Sequence, residues 1–404
     1  MRIAIVSDFF LDYVGGAQSS IAEQKAALEA AQHTVRIISN VRGLRTRVLN
    51  SSAGDLHVRP QYTIPGAEFP VVNASPALVA RLRDYLADSR VDVLHVQTEF
   101  GLAHAAAAAA RSLGIPVVFT VHTFYWQTTG VWPGLLSPLL RRVAEAAVRI
   151  PLPDRVLTPR ASDNVLRNLT LGMATRADRV VSPSAHQAAD LAAAGVTGSI
   201  AVIPNPIART TGMPRVVELP DGARPRIVWI ARCEPEKRPL AFADAAILAL
   251  ERTGRGFDVD IVGQGGELAE VRRRTAAHPE IRVHGSLPRD AVIELIDASS
   301  VVVLTSVGFD NQPMTIAEAT SRHRGVIFCD PQLKEGLDHA GLLTRDETPN
   351  GIAATLVDLV THPHRFTQLS LGARTDSETF SAPVYVERIS RVYRDALDRK
   401  NRVN

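Results

Sequence analysis

At 404 residues the chain is long for one domain and suits two, and 46% hydrophobic with 22% charged residues supplies a packed core to each half. A formal charge of +3, only 5% aromatic residues and no Lys/Arg block exclude a nucleic-acid binder by charge. Two cysteines, Cys233 and Cys329, exclude a disulfide framework, and no stretch reaches the ~20 apolar residues of a membrane span, so a cytoplasmic enzyme is expected.

The first predicted strand is the apolar run 3–7, too short for the apolar region of a signal peptide. It leads through Gly15-Gly16 into a helical pattern over 17–31. Further strands are predicted at 34–38, 93–96, 117–121, 155–158, 179–181 and 200–203, and Gly114-Ile115-Pro116 stops a helix and starts a strand. The Pro/Gly-rich stretch from Ile203-Pro204-Asn205-Pro206-Ile207 to Pro220-Asp221-Gly222 reads as a domain boundary. A second block then repeats the scheme, with strands at 226–230, 259–262, 281–284, 301–304 and 326–329 and a helical tail over 384–398. Short apolar strands alternating with longer helical patterns mark parallel sheets. The expected fold is α/β, with two doubly wound, Rossmann-like domains, 1–205 and 222–382, facing one another across a cleft. A linker at 206–221 joins them, and a C-terminal helix at 383–404 is expected to pack back on the first domain.

Open parallel sheets bind ligands beyond the carboxyl ends of their strands, and the chemistry-bearing residues follow strands here. Arg232 and Lys237 come just after the run 227–230; two cations and free N–H groups at a helix start suit a phosphate. Asp310 lies in the loop after 301–304, with Asn311 and Gln312 beside it. Glu318 falls on a helix opened by Pro313, where a carboxylate can accept two vicinal ribose hydroxyls. A phosphate clamp with a polyol clamp in the same half reads as a sugar-nucleotide site. Gly263-Gln264-Gly265 and His284-Gly285 follow the intervening strands, where a close backbone approach or a base stacked on the main chain fits. In the first half, Gly15-Gly16 suits backbone approach to a phosphate or an ordinary tight turn, and it lacks the three-glycine dinucleotide spacing. His122 ends a strand where it can bond a sugar hydroxyl, while His95, inside a strand, reads as structural.

Taken in order, these motifs resemble the retaining glycosyltransferases of family 4, over nearly the whole chain. The resemblance rests on Gly15-Gly16, Thr120-Val121-His122, Ser182-Pro183-Ser184, Ile203-Pro204-Asn205, Arg232 with Lys237, Gly263-Gln264-Gly265 and the Asp310/Glu318 pair. It implies the two-domain GT-B architecture and a donor that is a nucleoside-diphosphate sugar, with UDP-hexose favoured and GDP-mannose the alternative. It also implies that Gly16 lends an amide near the donor phosphate and that His122 touches the transferred sugar. Arg232 and Lys237 would grip the diphosphate, Glu318 the ribose, and Asp310–Gln312 the sugar hydroxyls. No metal or other cofactor is expected. The chain departs from the family at Asp310, where Glu is usual, and at Asn311-Gln312-Pro313-Met314 beyond it.

The segments 96–101 and 122–125 resemble the branch that glycosylates diacylglycerol, so a lipid or glycan hydroxyl is the expected acceptor. The apolar stretch 135–148, with Arg141 and Arg142, suits either a surface helix or peripheral binding to the inner face of a membrane. Two other classes share the architecture: a sugar-nucleotide epimerase or phosphorylase-type enzyme, and a degenerate sugar-nucleotide-binding module.

Overall fold

A computed structural model describes residues 1–403 apart from 13–14, 44–47, 51–53, 65–68, 128–134, 209–211, 221 and 255. The chain forms two compact units, Met1–Ala208 with Ala382–Asn404, and Arg209–Ser381. Residues 209–211 and 221 of the predicted linker lie outside the described residues. Of the rest, Val217 is buried in the second unit's core, with its amide donating to Ser370 Oγ at 2.8 Å.

The first unit runs β1 (Arg2–Phe10), α1 (Gly16–Ala30), β2 (Thr34–Asn40), β3 (Val48–Asn50), β4 (Leu56–Val58), β5 (Tyr62–Ile64), β6 (Phe69–Val71) and α2 (Pro76–Asp88). It continues through β7 (Val93–Val96), α3 (Gly101–Ser112), β8 (Val117–Thr120), α4 (Ser137–Val148), α5 (Ala161–Ala174), β9 (Arg179–Ser182), α6 (Ala185–Ala193) and β10 (Ile200–Val202). Its main sheet has the order β10-β9-β8-β7-β1-β2-β4-β3, parallel except for β3 against β4, and β5 and β6 pair separately. Central β1 shows why such a strand carries an unbroken apolar run, residues 3–6. Ala4 and Val6 enter one core, with α2 and α3, while Ile3 and Ile5 enter the opposite core, with α1 and the C-terminal helix. On α3, Ala103, Ala105–Ala107, Ala109 and Ala110 are all buried, and their small side chains let the helix lie close to the sheet.

The predicted strand at 155–158 does not form. Asn164 and Asn168, on α5, occupy its backbone instead: Asn164 Oδ1 accepts from the amides of Leu157 (2.7 Å) and Thr158 (3.0 Å), and Asn168 Oδ1 from that of Arg155 (3.0 Å). The amide groups of the same two side chains donate back to Thr158 O and Arg155 O, both at 2.7 Å. With its polar groups satisfied by side chains, the segment has no need of a ladder, and Val156 stays 89% exposed.

The second unit runs β11 (Arg226–Ile230), α7 (Pro239–Arg252), β12 (Asp258–Val262), α8 (Leu268–Thr275), β13 (Ile281–Gly285), α9 (Arg289–Ala298) and β14 (Val301–Leu304). There follow α10 (Met314–Ser321), β15 (Gly325–Phe328), β16 (Gly341–Leu343), α11 (Pro349–Thr361) and α12 (His364–Asp376). Every pair in its sheet, ordered β13-β12-β11-β14-β15-β16, is parallel. The winding direction reverses between β11 and β14, which opens a crevice at their carboxyl ends. After Ser381 the chain re-enters the first unit as α13 (Ala382–Val403), burying Tyr385, Ile389, Val392, Tyr393 and Ala396 in that unit's core. Among the described residues no helix is long and apolar enough to cross a membrane.

Candidate active site

The reversal between β11 and β14 brings Lys237 and Asp310 together. After β11 the chain makes a short 3-10 turn over Pro235–Lys237, and Arg238 takes a left-handed conformation (φ 56°) before α7. That unfavourable backbone for a long side chain is held by guanidinium bonds to the carbonyls of Thr305 (3.2 Å) and Glu347 (2.5 Å). Thr305, the first residue beyond β14, donates to Lys237 O at 2.7 Å and accepts from buried Trp229 Nε1 at 2.9 Å. The Lys237 backbone is thereby fixed against the end of β14.

Its ammonium is ion-paired to Asp310 Oδ1, and Ser306 Oγ bonds the other carboxylate oxygen. The two charged side chains are only 14% and 11% exposed, and Lys237 Nζ lies 5.0 Å from the Phe309 ring centroid. Sequence reading assigns Lys237 to phosphate and Asp310 to sugar separately; the structure joins them in one salt bridge. Arg232 is half-exposed and pairs with Glu236 at 2.6 Å. Asp330 organises the loop between, accepting from the amides of Gly308 (2.7 Å) and Gln332 (2.9 Å). Asn311 is buried, Gln312 partly so, and Glu318 lies on α10 among buried Ile316, Ala317 and Ala319.

Gly263 and Gly265 also follow their strand, and their small size has a local reason. A Cβ at Gly263 would sit 1.7 Å from Ala231 O, and one at Gly265 would sit 2.5 Å from Cys233 O. The loop 263–266 is laid backbone to backbone on 231–234, with Cys233 N donating to Gln264 O at 2.9 Å and Glu267 N to Cys233 O at 2.8 Å. The loop thus braces the segment that carries Arg232. His284 is not part of this group: its Nε2 bonds Asp260 Oδ1 at 2.6 Å, on a buried carboxylate shared with Arg226 (2.5 Å) and Arg282 (3.1 Å). Only the backbone at Gly285 is left at the strand's carboxyl edge.

In the first unit, Gly15 caps α1 and Gly16 begins it, with nothing within 4 Å of where a Gly16 Cβ would stand. His122 follows β8 and its Nε2 lies 2.5 Å from Gln97 Oε1, in the segment after β7. Desolvation pushes its imidazole down to about 4, so the ring is neutral at physiological pH. His95, deeper in β7, lies between Thr120 Oγ1 and the Tyr393 hydroxyl, both at 2.7 Å, in a fully buried structural setting.

Two carboxyls at this edge are not among the sequence candidates. Asp8, fully buried, accepts from Thr98 Oγ1 (2.6 Å) and from the amides of Leu102 (2.7 Å) and Ala103 (3.3 Å), so it caps α3 from across the sheet. Glu99 accepts from Thr170 Oγ1 (2.8 Å) and Trp126 Nε1 (3.0 Å), and burial raises its carboxyl to about 7. Glu99 follows β7, and Asp8 lies near the carboxyl end of β1. Among the described residues, no group of three His, Cys, Asp or Glu side chains could hold a metal ion.

Comparison with known proteins covers both units. Residues 14–210 match the family described as Glycosyltransferase Family 4, and residues 224–362 match Glycosyl transferases group 1. The alpha-monoglucosyldiacylglycerol synthase of Acholeplasma laidlawii is 30% identical over 154 residues, a match spanning 37% of this chain and 35% of that relative. Sucrose-phosphate synthase from Thermosynechococcus elongatus superposes with a TM-score of 0.68 at 15% identity, over 98% of each chain. Anabaena HepE, whose structure holds UDP and glucose, gives a TM-score of 0.64 at 16% identity, over 97% of this chain and 99% of its own.

Proposed function

The chain belongs to glycosyltransferase family 4 and has its GT-B fold, and on that premise we propose that it moves a hexose, with retention of anomeric configuration, from a nucleoside-diphosphate sugar to a lipid or glycan hydroxyl. UDP-hexose is the favoured donor, and GDP-mannose is the alternative. The observation that carries this reading is the Lys237–Asp310 salt bridge at the sheet's reversal point, beside Arg232.

A cation and a hydroxyl-binding carboxylate in contact suit the junction of diphosphate and sugar, the bond that breaks. Arg232 and Lys237 would stabilise the charge growing on the departing diphosphate, charge that appears only as the bond stretches. The C1–O bond to the diphosphate breaks and the acceptor oxygen bonds C1 on the same face. The acceptor's proton passes to a leaving phosphate oxygen. Asp310, Asn311 and Gln312 would hold sugar hydroxyls, Glu318 the ribose, and His122, neutral and partly exposed, a further sugar hydroxyl. Gly16 would offer an amide at the start of α1.

The acceptor side includes a lipid surface in this reading. On and just before α4, Leu135 (72% exposed), Leu136, Leu139 and Val143 face solvent, with Arg142 beside them. Arg141 is committed elsewhere, donating to the carbonyls of Leu152 (2.6 Å) and Pro153 (3.1 Å). The enzyme would work peripherally, at the cytoplasmic face of a membrane.

The deciding experiment is a panel of UDP- and GDP-sugars, scored by thermal shift and by donor hydrolysis without acceptor. One sugar nucleotide should raise the melting temperature by an amount that grows with the logarithm of its affinity, and release its nucleoside diphosphate. No shift with any of them would overturn the reading.

A further inference from the structure

Behind His122 lies a chain of buried amides that the proposed reaction does not use. Gln97 Oε1 faces His122 Nε2, and Gln97 Nε2 donates to Gln24 Oε1 at 2.9 Å. Gln24 Oε1 also accepts from the Tyr385 hydroxyl at 2.9 Å, while Gln24 Nε2 donates to Ser20 Oγ and to Asn205 Oδ1, both at 3.0 Å. Gln24, Gln97, Asn205, Tyr385 and Ser20 are each 4% exposed or less. An amide in such a place cannot turn over without leaving a polar atom unpaired, which is costly away from water.

The bonds run in one direction. Turning Gln97 over would set its oxygen against Gln24 Oε1, so Gln24 would have to turn as well. That in turn would set Gln24's oxygen against Asn205 Oδ1. With Asn205 Oδ1 accepting from Gln24, the polarity of the whole chain follows, and its far end requires a hydrogen on His122 Nε2. His122 Nδ1 then carries the lone pair, with no hydrogen-bond partner among the described residues.

We propose that Gln24 and Gln97 are positioning residues: they hold His122 in the tautomer protonated on Nε2, so that Nδ1 is presented as an acceptor to a hydroxyl. The relay is seated on both crossings of the chain between units, since Asn205 lies just before Ala208 and Tyr385 just after Ala382. The purpose of the relay rests on the assignment of His122 to the donor sugar; its existence does not.

The test is the nitrogen NMR signature of the imidazoles in the full-length protein, with His122 identified by its loss in His122→Gln. The wild type should show the Nε2–H tautomer. Gln24→Leu should give a mixture of tautomers, with kcat down about 10- to 100-fold and nucleoside diphosphate affinity unchanged. Asn205→Asp, which still accepts from Gln24 and cannot donate to it, should retain the wild-type tautomer and most of kcat. An Nδ1–H wild-type ring, or a tautomer unmoved by Gln24→Leu, would overturn the relay. A tautomer that shifts with no change in transfer would support the relay and remove His122 from the sugar.

Discussion

At the residue scale, the salt bridge between Lys237 and Asp310 means that an incoming diphosphate meets an ammonium already neutralised. Asp310→Asn keeps the side chain's shape and removes that competitor. It should tighten UDP or GDP binding about tenfold by calorimetry while lowering transfer. Unchanged nucleotide affinity would show that Lys237 is not a phosphate ligand. The cations and carboxylates themselves were legible because each follows a strand, but their pairing joins positions 73 residues apart and has no local signature. Glu99 supplies a pH-dependent case. Its carboxyl is raised from 4.5 to about 7 by burial, so between those values the folded protein holds a proton that the unfolded chain has lost. Stability therefore falls as pH rises through that window and levels off above it. Glu99→Gln keeps the oxygen that accepts from Trp126 and Thr170, and at about pH 8 it should gain about 3 kcal/mol in urea unfolding. Below about pH 4.5 the gain should vanish, since both forms are then neutral.

At the element scale, α13 is held by more than its apolar face. The Tyr393 hydroxyl contacts His95 Nδ1 in the centre of the sheet, where no water replaces a lost partner. Tyr393→Phe should cost about 1–3 kcal/mol, read as a lower melting temperature with unaltered nucleotide affinity. Strands such as β11 and β14 were legible in the sequence because both their faces are buried and the apolar run is unbroken. The three-residue strands β3 to β6 give no period to read. The segment 155–158 has a strand's composition, yet Asn164 and Asn168 take its hydrogen bonds from a helix further along the chain, and no local pattern shows that. Gly263 and Gly265 stand out in the sequence by their place after β12, while the seating of one loop on another is a feature of the three-dimensional fold.

For the whole molecule, the second unit is a continuous stretch with its own core and carries Arg232, Lys237, Asp310 and Glu318. Expressed alone, Arg209–Ser381 should fold cooperatively and bind the nucleoside diphosphate without transferring sugar, as thermal shift and an activity assay would show together. Failure of that fragment to bind would move nucleotide recognition out of the second unit. The first unit has no such independence, because α13 completes one of its two cores. On the ribosome this sets an order of events. The face of the first sheet formed by Ile3, Ile5, Val35, Ile37, Val93, Val118 and Val181 is synthesised early, and part of its covering comes last. At 5–20 residues per second the nascent chain holds that face partly uncovered for about 10–40 s while the entire second unit is made. The first unit is thus completed only after the second has been made, and this face stays partly exposed in the interval. A slow codon placed late in the message, far from any residue of the candidate site, would lengthen the exposure and lower the yield of soluble enzyme.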